Sequence, residues 1–392
     1  MINDIYKYEV TVHDAAKALD MSADTIRRWE KKGLIKSRRS TQNHRLFSLS
    51  EIQRVQNKTG CTEDEAEFKV LKAKKSKYSV IELFSGCGGM ALGFENAGLK
   101  TALVSEIDNH SCATLKANRP EWDVWEGDIF QYNEENAFTK YKDKIDIVAG
   151  GFPCQAFSYA GHRRGFGEAR GTLFFEFLKV VKATRPKIAL GENVRGLLRH
   201  DGGRTLETMT KLLEEAGYRT VYKILRSQFL DVPQKRERLF IMGIRSDLDL
   251  QHLYPKEKDY TVNLRQAFKN TPKSEGQNYP KKKAAIMKLI PPGGYWKDLP
   301  VELQKEYMGA SFYHTGGRTG MARRLSYDEP SLTLTCAPAQ KQTERGHPEE
   351  NRPLNVREYA RIQSFPDEWH FQGTVGQQYK QIGNAVPVNL GK

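Results

Sequence analysis

From Tyr78 onward the chain alternates short apolar runs with longer segments whose apolar residues recur every three or four positions. "YSVIELF", "TALVSEID", "KIDIVAGGFPC", "RPKIALGENV" and "RERLFIMGIR" each contain a run with the length and β-branched content of a buried strand. "TLFFEFLKVVKAT" and "TLETMTKLLEEAG" read as amphipathic helices between them. "SGCGGMALGFENAG" reads as a tight glycine loop running into another helix. Strands alternating with helices predict an open α/β sheet, in which ligands sit at the carboxyl ends of strands.

The pattern differs at both ends of this region. Residues 1–60 predict a separate small unit. "TVHDAAKALDMSADTIRRWEKKGLI" gives two short helices, the first with Ala15, Ala16 and Leu19 on one stripe. Ser22 caps the second, Ala23 to Lys32, and Gly33 ends it. A basic hairpin and a third helix beginning near Ser50 complete the pattern of a winged helix-turn-helix. This unit resembles the DNA-binding domains of MerR-type regulators and excisionase-like proteins. Thr25, Arg27 and Arg28 then stand near the front of the recognition helix, and Arg38 and Arg39 along phosphates. Residues 61–77 read as a lysine-rich linker and 78–245 as the sheet domain. Residues 246–374 form a smaller domain whose 246–322 stretch is loop-rich, and 375–392 return to the sheet.

Composition narrows the partners. A net charge of +14 and a pI near 9.3 favour a polyanion. No window approaches the length of an apolar membrane span, and "MINDIYKYEV" lacks the pattern of a secretory signal, so a cytoplasmic protein is expected. The five cysteines are scattered without metal-ligand spacing, so neither a disulfide framework nor a metal site is expected.

The glycine loop "ELFSGCGG" lets the backbone approach a bound molecule at Gly86 and Gly88. Glu106 follows at a spacing that also suits a dinucleotide site. The next acid tips the balance. Asp128 in "GDIF" follows a third short strand, where a carboxylate accepts from an adenine amino group. A glycine loop with two such acids suits a purine nucleoside cofactor without phosphates, S-adenosylmethionine rather than NAD.

"AGGFPCQAFS" holds Cys154 on a Gly-Pro loop past a strand, where a thiolate would be presented as a nucleophile. Glu192 in "GENV" lies on the same predicted edge, with Asn193 beside it to fix geometry. Arg236 and Arg238 alternate at a strand start and so face one side. Cys and Glu without a nearby His are unlike a protease or acyltransferase. They suit a pyrimidine, whose C5 becomes nucleophilic only after a thiolate adds at C6 with help at N3. Cys154 would attack, Glu192 would bind N3, and Arg238 would hold the O2 edge. A stacked duplex hides these atoms, so the base must be flipped out.

At these residues the chain resembles the DNA (cytosine-5)-methyltransferase family. "ELFSGCGG", "SEID", "GDIF", "GFPCQAFS", "GTLFFEF", "GENVRGLL", "QKRERLF" and "QIGNAVP" occur in the family's order from residue 78 to the end. The resemblance implies a Rossmann-like S-adenosylmethionine-dependent methyltransferase sheet, a smaller target-recognition domain within 246–322, and the extra winged helix. It implies that Phe84, Ser85, Gly86 and Gly88 line the cofactor's methionine part. Glu106 takes the ribose, Asp128 with Ile129 the adenine, and Leu173, Pro153, Asn384 and Ala385 border the cofactor. Glu192 and Asn193 hold the cytosine, Arg236 and Arg238 approach O2, and Gln155 and Ser158 lie near the DNA. Two features depart from the family: Ala156 stands where many members have proline, and the last helix stops at Lys392 where relatives often run on. The expected partner is double-stranded DNA, with a restriction endonuclease encoded elsewhere as functional partner. The protein would act as a monomer on its methylation site and, through its N-terminal unit, as a dimer on an operator that represses its own gene. A tRNA cytosine-5 methyltransferase and a catalytically silent DNA-binding regulator are the alternatives.

Overall fold

The computed structural model describes residues 9–19, 21–31, 33–40, 42–48, 51–52, 68–153, 173–314 and 318–392. The strands among them are β1 Glu9–Thr11, β2 Arg38–Arg39, β3 Arg45–Ser48, β4 Ser79–Leu83, β5 Lys100–Glu106, β6 Val124–Glu126, β7 Ile147–Gly150, β8 Ile188–Val194, β9 Tyr218–Arg226, β10 Gln234–Lys235, β11 Glu237–Arg245 and β12 Ser331–Leu332. The chain divides into two compact units. One comprises Met1–Lys69, Gln228–Lys235 and Glu257–Ile362; the other comprises Val70–Ser227, Arg236–Lys256 and Gln363–Lys392.

The second unit carries a seven-stranded sheet in the order β6-β5-β4-β7-β8-β11-β9. β4 to β8 run parallel, and β11 is antiparallel to both β8 and β9. The order turns back between β4 and β7, which is where an open α/β sheet opens a ligand crevice. Three helices supply one apolar face: Ile129–Glu134, Leu173–Thr184 and Arg204–Glu215. Their Ile129, Phe174, Phe177 and Met209 pack with Ile81, Val148 and Leu239 of the strands into one core. β9 was not anticipated. "YRTVYKILR" is broken up by Arg219, Thr220 and Lys223, leaves Val221 and Tyr222 exposed as an edge strand can, and lacks the continuous apolar run of the parallel strands.

Helix Gly89–Asn96 packs against the last helix, Val388–Gly391. This contact joins the glycine loop to "NAVP", because Gly89 lies against the carbonyl of Val386 and the methyl of Ala385. The chain rejoins the sheet unit at Gln363, earlier than the expected 375, and Trp369, Phe365 and Phe371 anchor that return by aromatic packing.

The first unit begins with an antiparallel sheet ordered β1-β3-β2 and two helices, Val12–Ala18 and Ala23–Lys31. Ala15, Ala16, Leu19, Ile26, Trp29, Ile35 and Phe47 form its core. Ser22 accepts from the Thr25 N–H at 3.0 Å, as a helix cap should. The expected third helix is described only at Glu51 and Ile52. Residues 257–362 are more helical than their Pro and Gly content suggested. Pro280 and Pro300 stand at the N-caps of helices Lys281–Lys288 and Val301–Met308, so these prolines mark helix starts rather than loops. A buried group holds this part together: Glu344 pairs with Lys283 at 2.7 Å and accepts from the Tyr307 hydroxyl.

An added methyl at Gly89 would overlap the Val386 carbonyl. Gly89→Ala is expected to lower the unfolding free energy by about 1–3 kcal/mol, as overpacking does. Urea denaturation reads this as a lower midpoint. An unchanged midpoint would mean that the loop and the C-terminal return do not press on each other.

Candidate active site

The candidate residues of the second unit collect along one edge of its sheet because parallel strands end there. β4 ends in the glycine loop, β5 in Glu106, β6 just before Asp128, β7 in Gly151–Pro153, and β8 in Glu192 and Asn193. β11 runs the other way, so its amino end lies beside the carboxyl end of β8. The register pairs Arg238 with Val194 and Phe240 with Glu192. Arg238 and Glu192 therefore share a face as diagonal neighbours, and Arg238 Nε stands 3.0 Å from Glu192 Oε1.

The glycine loop is built from unusual backbone. Phe84 adopts φ +58°, a costly conformation for a bulky residue, and Gly86 adopts φ +54°. The Gly86 N–H donates to Glu106 Oε2 at 2.7 Å, while Glu106 Oε1 accepts from the N–H groups of Ile107 and Asp108. Three backbone donors thus fix one carboxylate at the mouth of the loop. A methyl added at Gly86 would meet nothing within 4 Å, so open space lies over the loop there. Ile107 stands beside Glu106 with 68% of its surface exposed, an apolar face that a planar ring would cover. Asp128 is exposed and caps helix Ile129–Glu134 by accepting from the Phe130 N–H. None of Phe84, Ser85, Gly86, Glu106, Ile107 and Asp128 is basic. That donor set fits a nucleoside without phosphates and a cationic tail, as S-adenosylmethionine has.

On the other side of the site, Asn193 Nδ2 donates to the Phe152 carbonyl at 2.8 Å and ties β8 to the loop leading to Cys154. A methyl at Gly151 would stand 3.2 Å from Glu192 Oε2, so that carboxyl lies against the same loop. Burial pushes the Glu192 carboxyl above its usual range, and Arg238 and then Arg236 partly hold it back. Arg236 itself donates to the Gly383 carbonyl at 3.2 Å and is buried, so it anchors the segment before Asn384 and Ala385. Leu173 opens helix Leu173–Thr184 and is half-buried, whereas Pro153 and Asn384 are exposed. Cys154, Gln155, Ser158 and Ala156 lie outside the described residues.

The N-terminal candidates divide. Thr25 is fully buried, with its hydroxyl hydrogen-bonded to Ser22, and is corrected from a base-contacting residue to a core one. Arg28 is also corrected. Its guanidinium lies 3.7 Å from the centroid of the Phe229 ring and 3.9 Å from Glu257, while the adjacent Trp29 indole donates to the Asp259 carbonyl. Helical periodicity places Thr25 and Arg28 on one stripe, and here that stripe faces protein. Arg27 is half-exposed and paired with Asp24, Arg38 is exposed and paired with Glu9, and Arg39 is exposed and donates to the Asn43 carbonyl.

Sequence reasoning missed Ile107, Gly151 and Glu82, a buried carboxyl within β4. The last was visible as one acid inside the apolar run "SVIEL". Among the described residues no group of potential ligands is arranged to hold a metal ion, and no helix is long and apolar enough to cross a membrane.

Residues 78–392 match the model of the C-5 cytosine-specific DNA methylases, and residues 11–47 that of the MerR family regulatory proteins. The chain is 52% identical over 399 aligned positions to the Type II methyltransferase M.Eco47II of Escherichia coli, covering 99% of this chain and 94% of that one. It is 53% identical to the Type II methyltransferase M.Sau96I of Staphylococcus aureus, over 81% of this chain and 75% of that one. Among solved structures it resembles Spodoptera frugiperda DNMT2 with a TM-score of 0.56 at 16% identity, over 80% of this chain and 97% of that one. The structural likeness concerns the fold.

Arg238→Met would leave Glu192 buried without its cation. A carboxyl raised in the folded state takes up protons on folding, so its contribution to stability falls as pH rises through the unfolded carboxylate value. The variant is expected to lose about 3 kcal/mol at pH 7 and much less at pH ~3, below the ordinary glutamate value of about 4.3, where the carboxyl is largely neutral in both states. Denaturant unfolding at the two pH values tests this; an equal loss at both would show that Arg238 does not act on the Glu192 charge.

Proposed function

Because this chain belongs to the C-5 cytosine-specific DNA methylases and uses S-adenosylmethionine to methylate cytosine in DNA, we propose that it does so on a flipped-out base through a covalent bond from Cys154 to C6. The observation that carries this reading is the buried Glu192–Arg238 pair set against the loop that leads into Cys154. The cofactor supplies an electrophilic methyl group when bound. Phe84, Ser85, Gly86 and Gly88 would line its methionine part, Glu106 its ribose, and Ile107, Asp128 and Ile129 its adenine. Pro153, Leu173, Asn384 and Ala385 would border it.

The chain's own residues then divide the work on the base. Cys154 adds to C6 as a thiolate. Glu192, whose burial favours the protonated form, gives its proton to N3, and Arg238 balances the carboxylate left behind. The ring's electrons are thereby drawn to C5, which takes the methyl group. Loss of the C5 proton to a base expels the thiolate, and Glu192 recovers its proton. Asn193 positions the loop through the Phe152 carbonyl, and Arg236 holds the C-terminal return against the site. Gln155 and Ser158 are read as contacts to the DNA around the everted base.

We read the wider role as protection of host DNA in a restriction-modification system, with the endonuclease as functional partner, in the cytoplasm. The curated relatives are named as Type II methyltransferases, which favours duplex DNA over tRNA as substrate and an active enzyme over a silent regulator. The N-terminal unit would add repression of the protein's own gene. Arg27, Arg38 and Arg39 are the guanidiniums it presents for DNA, as a dimer on an operator, while methylation would be performed by a monomer.

Two measurements follow. Cys154→Ser is expected to retain DNA binding and to transfer no labelled methyl group to duplex DNA; incorporation equal to the unmodified protein, or preferential labelling of tRNA by that protein, would overturn the assignment. Arg27→Ala combined with Arg39→Ala is expected to weaken binding to DNA upstream of the gene in a gel-shift assay while methylation continues unchanged. A fall in methylation with unchanged upstream binding would instead make the unit an aid to substrate binding.

A further inference from the structure

β4 is the central strand at the crevice, hydrogen-bonded to β5 on one side and β7 on the other. Its neighbours Val80, Ile81 and Leu83 are fully buried, and Glu82 among them is 2% exposed. Directly across from Glu82 are Val104 of β5 and Ala149 of β7, neither of which can bond a carboxyl side chain. A carboxylate is costly in such surroundings unless it is paired. The Ala91 N–H, in the first turn of helix Gly89–Asn96, offsets only part of the cost of burying this carboxyl. That helix begins at Gly88, which has no side chain to cap it. Oε2 is buried and has no hydrogen-bond partner among the described residues.

The charged groups that act most strongly on Glu82 are acidic. Glu106 acts on it from β5 and Glu192 from β8, and the Cys87 thiol of the glycine loop is coupled to it as well. β7 contributes no titratable residue, and the one acid of helix Gly89–Asn96, Glu95, is paired with Arg119. Burial first, and then these carboxylates, push Glu82 well above the usual range, which favours its protonated form.

This inference rests on the placement of the cofactor's ribose at Glu106 and the cytosine at Glu192. The methyl group travels from one to the other, so the sulfur that bears it must lie between them. The register sets Glu82 level with Val104 of β5 and Leu190 of β8, so Glu106 and Glu192, each two residues further along, share its face of the sheet, and Glu82 lies within electrostatic reach of that sulfur. The methyl donor is a sulfonium cation; after transfer it is a neutral thioether. We propose that Glu82 is a positioning residue through which the site distinguishes donor from product, holding its proton when the site is empty or carries the thioether and releasing it when the sulfonium binds. No bond to the cofactor is made or broken in this step: a proton leaves the carboxyl for solvent, and the carboxylate formed faces the positive sulfur.

Linkage fixes the sign. A ligand that displaces a proton binds more tightly as pH rises, by up to about tenfold per pH unit while the group titrates. A ligand without the charge lacks that dependence. The protein should therefore favour the methyl donor over its product most strongly at higher pH, and product should compete best in acid.

Titration calorimetry of the full chain with S-adenosylmethionine and with S-adenosylhomocysteine, in buffers of different ionisation enthalpy, counts the protons released. The unmodified protein is expected to release more protons with S-adenosylmethionine. Glu82→Gln keeps the size and polarity of the side chain but cannot titrate, so its two ligands should give equal counts, and its preference for the donor should no longer change with pH. Equal counts in the unmodified protein would overturn the proposal whether or not the variant folds. So would an undiminished excess in a Glu82→Gln protein whose thermal midpoint matches the original. Failure of both ligands to bind the unmodified protein would overturn the placement of the site itself, and this inference with it.

Discussion

The site depends on keeping an acid and a guanidinium together at the end of a sheet where neither would be stable alone. Glu192 and Arg238 are both largely buried, and each is perturbed by the loss of water: burial raises the carboxyl and lowers the guanidinium. The pair exists because β11 enters the sheet antiparallel to β8. A parallel strand there would have carried its arginines to the opposite edge. One reversal of strand direction thus sets a buried carboxyl and its guanidinium partner side by side at the sheet edge.

The same edge divides its chemistry by strand. Toward β5 and β6 the surface offers acids fixed by backbone N–H groups and an exposed isoleucine, a setting for a nucleoside and a positive charge. Toward β8 and β11 it offers the ion pair and the amide of Asn193. Glu82 lies on the same face of the sheet, two residues back from the acids of both sides. The helix above it packs on the C-terminal return, so the last residues of the chain help shape a loop formed near residue 86.

Much of this was legible in the sequence because parallel strands and glycine loops leave strong local marks. "SVIEL", "TALVSE" and "IALGENV" are apolar runs that end in the residues of interest, and the structure ends its strands there. β9 escaped because its charged residues interrupt the apolar run and make an exposed edge strand read like a surface segment. The short helices after Pro280 and Pro300 escaped because proline was read as a loop signal when it was a helix start. Thr25 and Arg28 were misassigned for a related reason. A polar residue near the front of a helix looks available for DNA, yet the spacing that put these two on one stripe turned them toward protein, Thr25 against Ser22 and Arg28 over the Phe229 ring, rather than toward solvent. Ile107 and Glu82 show the complementary case, an apolar residue left in water and an acid kept from it. Their meaning appears only once the strands beside them are in place.

The central claim concerns one sulfur and one carbon, so the most direct measurement traps that bond. The full-length protein would be incubated with S-adenosylmethionine and a duplex bearing 5-fluorocytosine at a position it methylates, where fluorine at C5 blocks release of the enzyme. Peptide mapping by mass spectrometry should then find the modified nucleotide attached at Cys154. Attachment at another residue, or complete turnover with no adduct, would contradict the account.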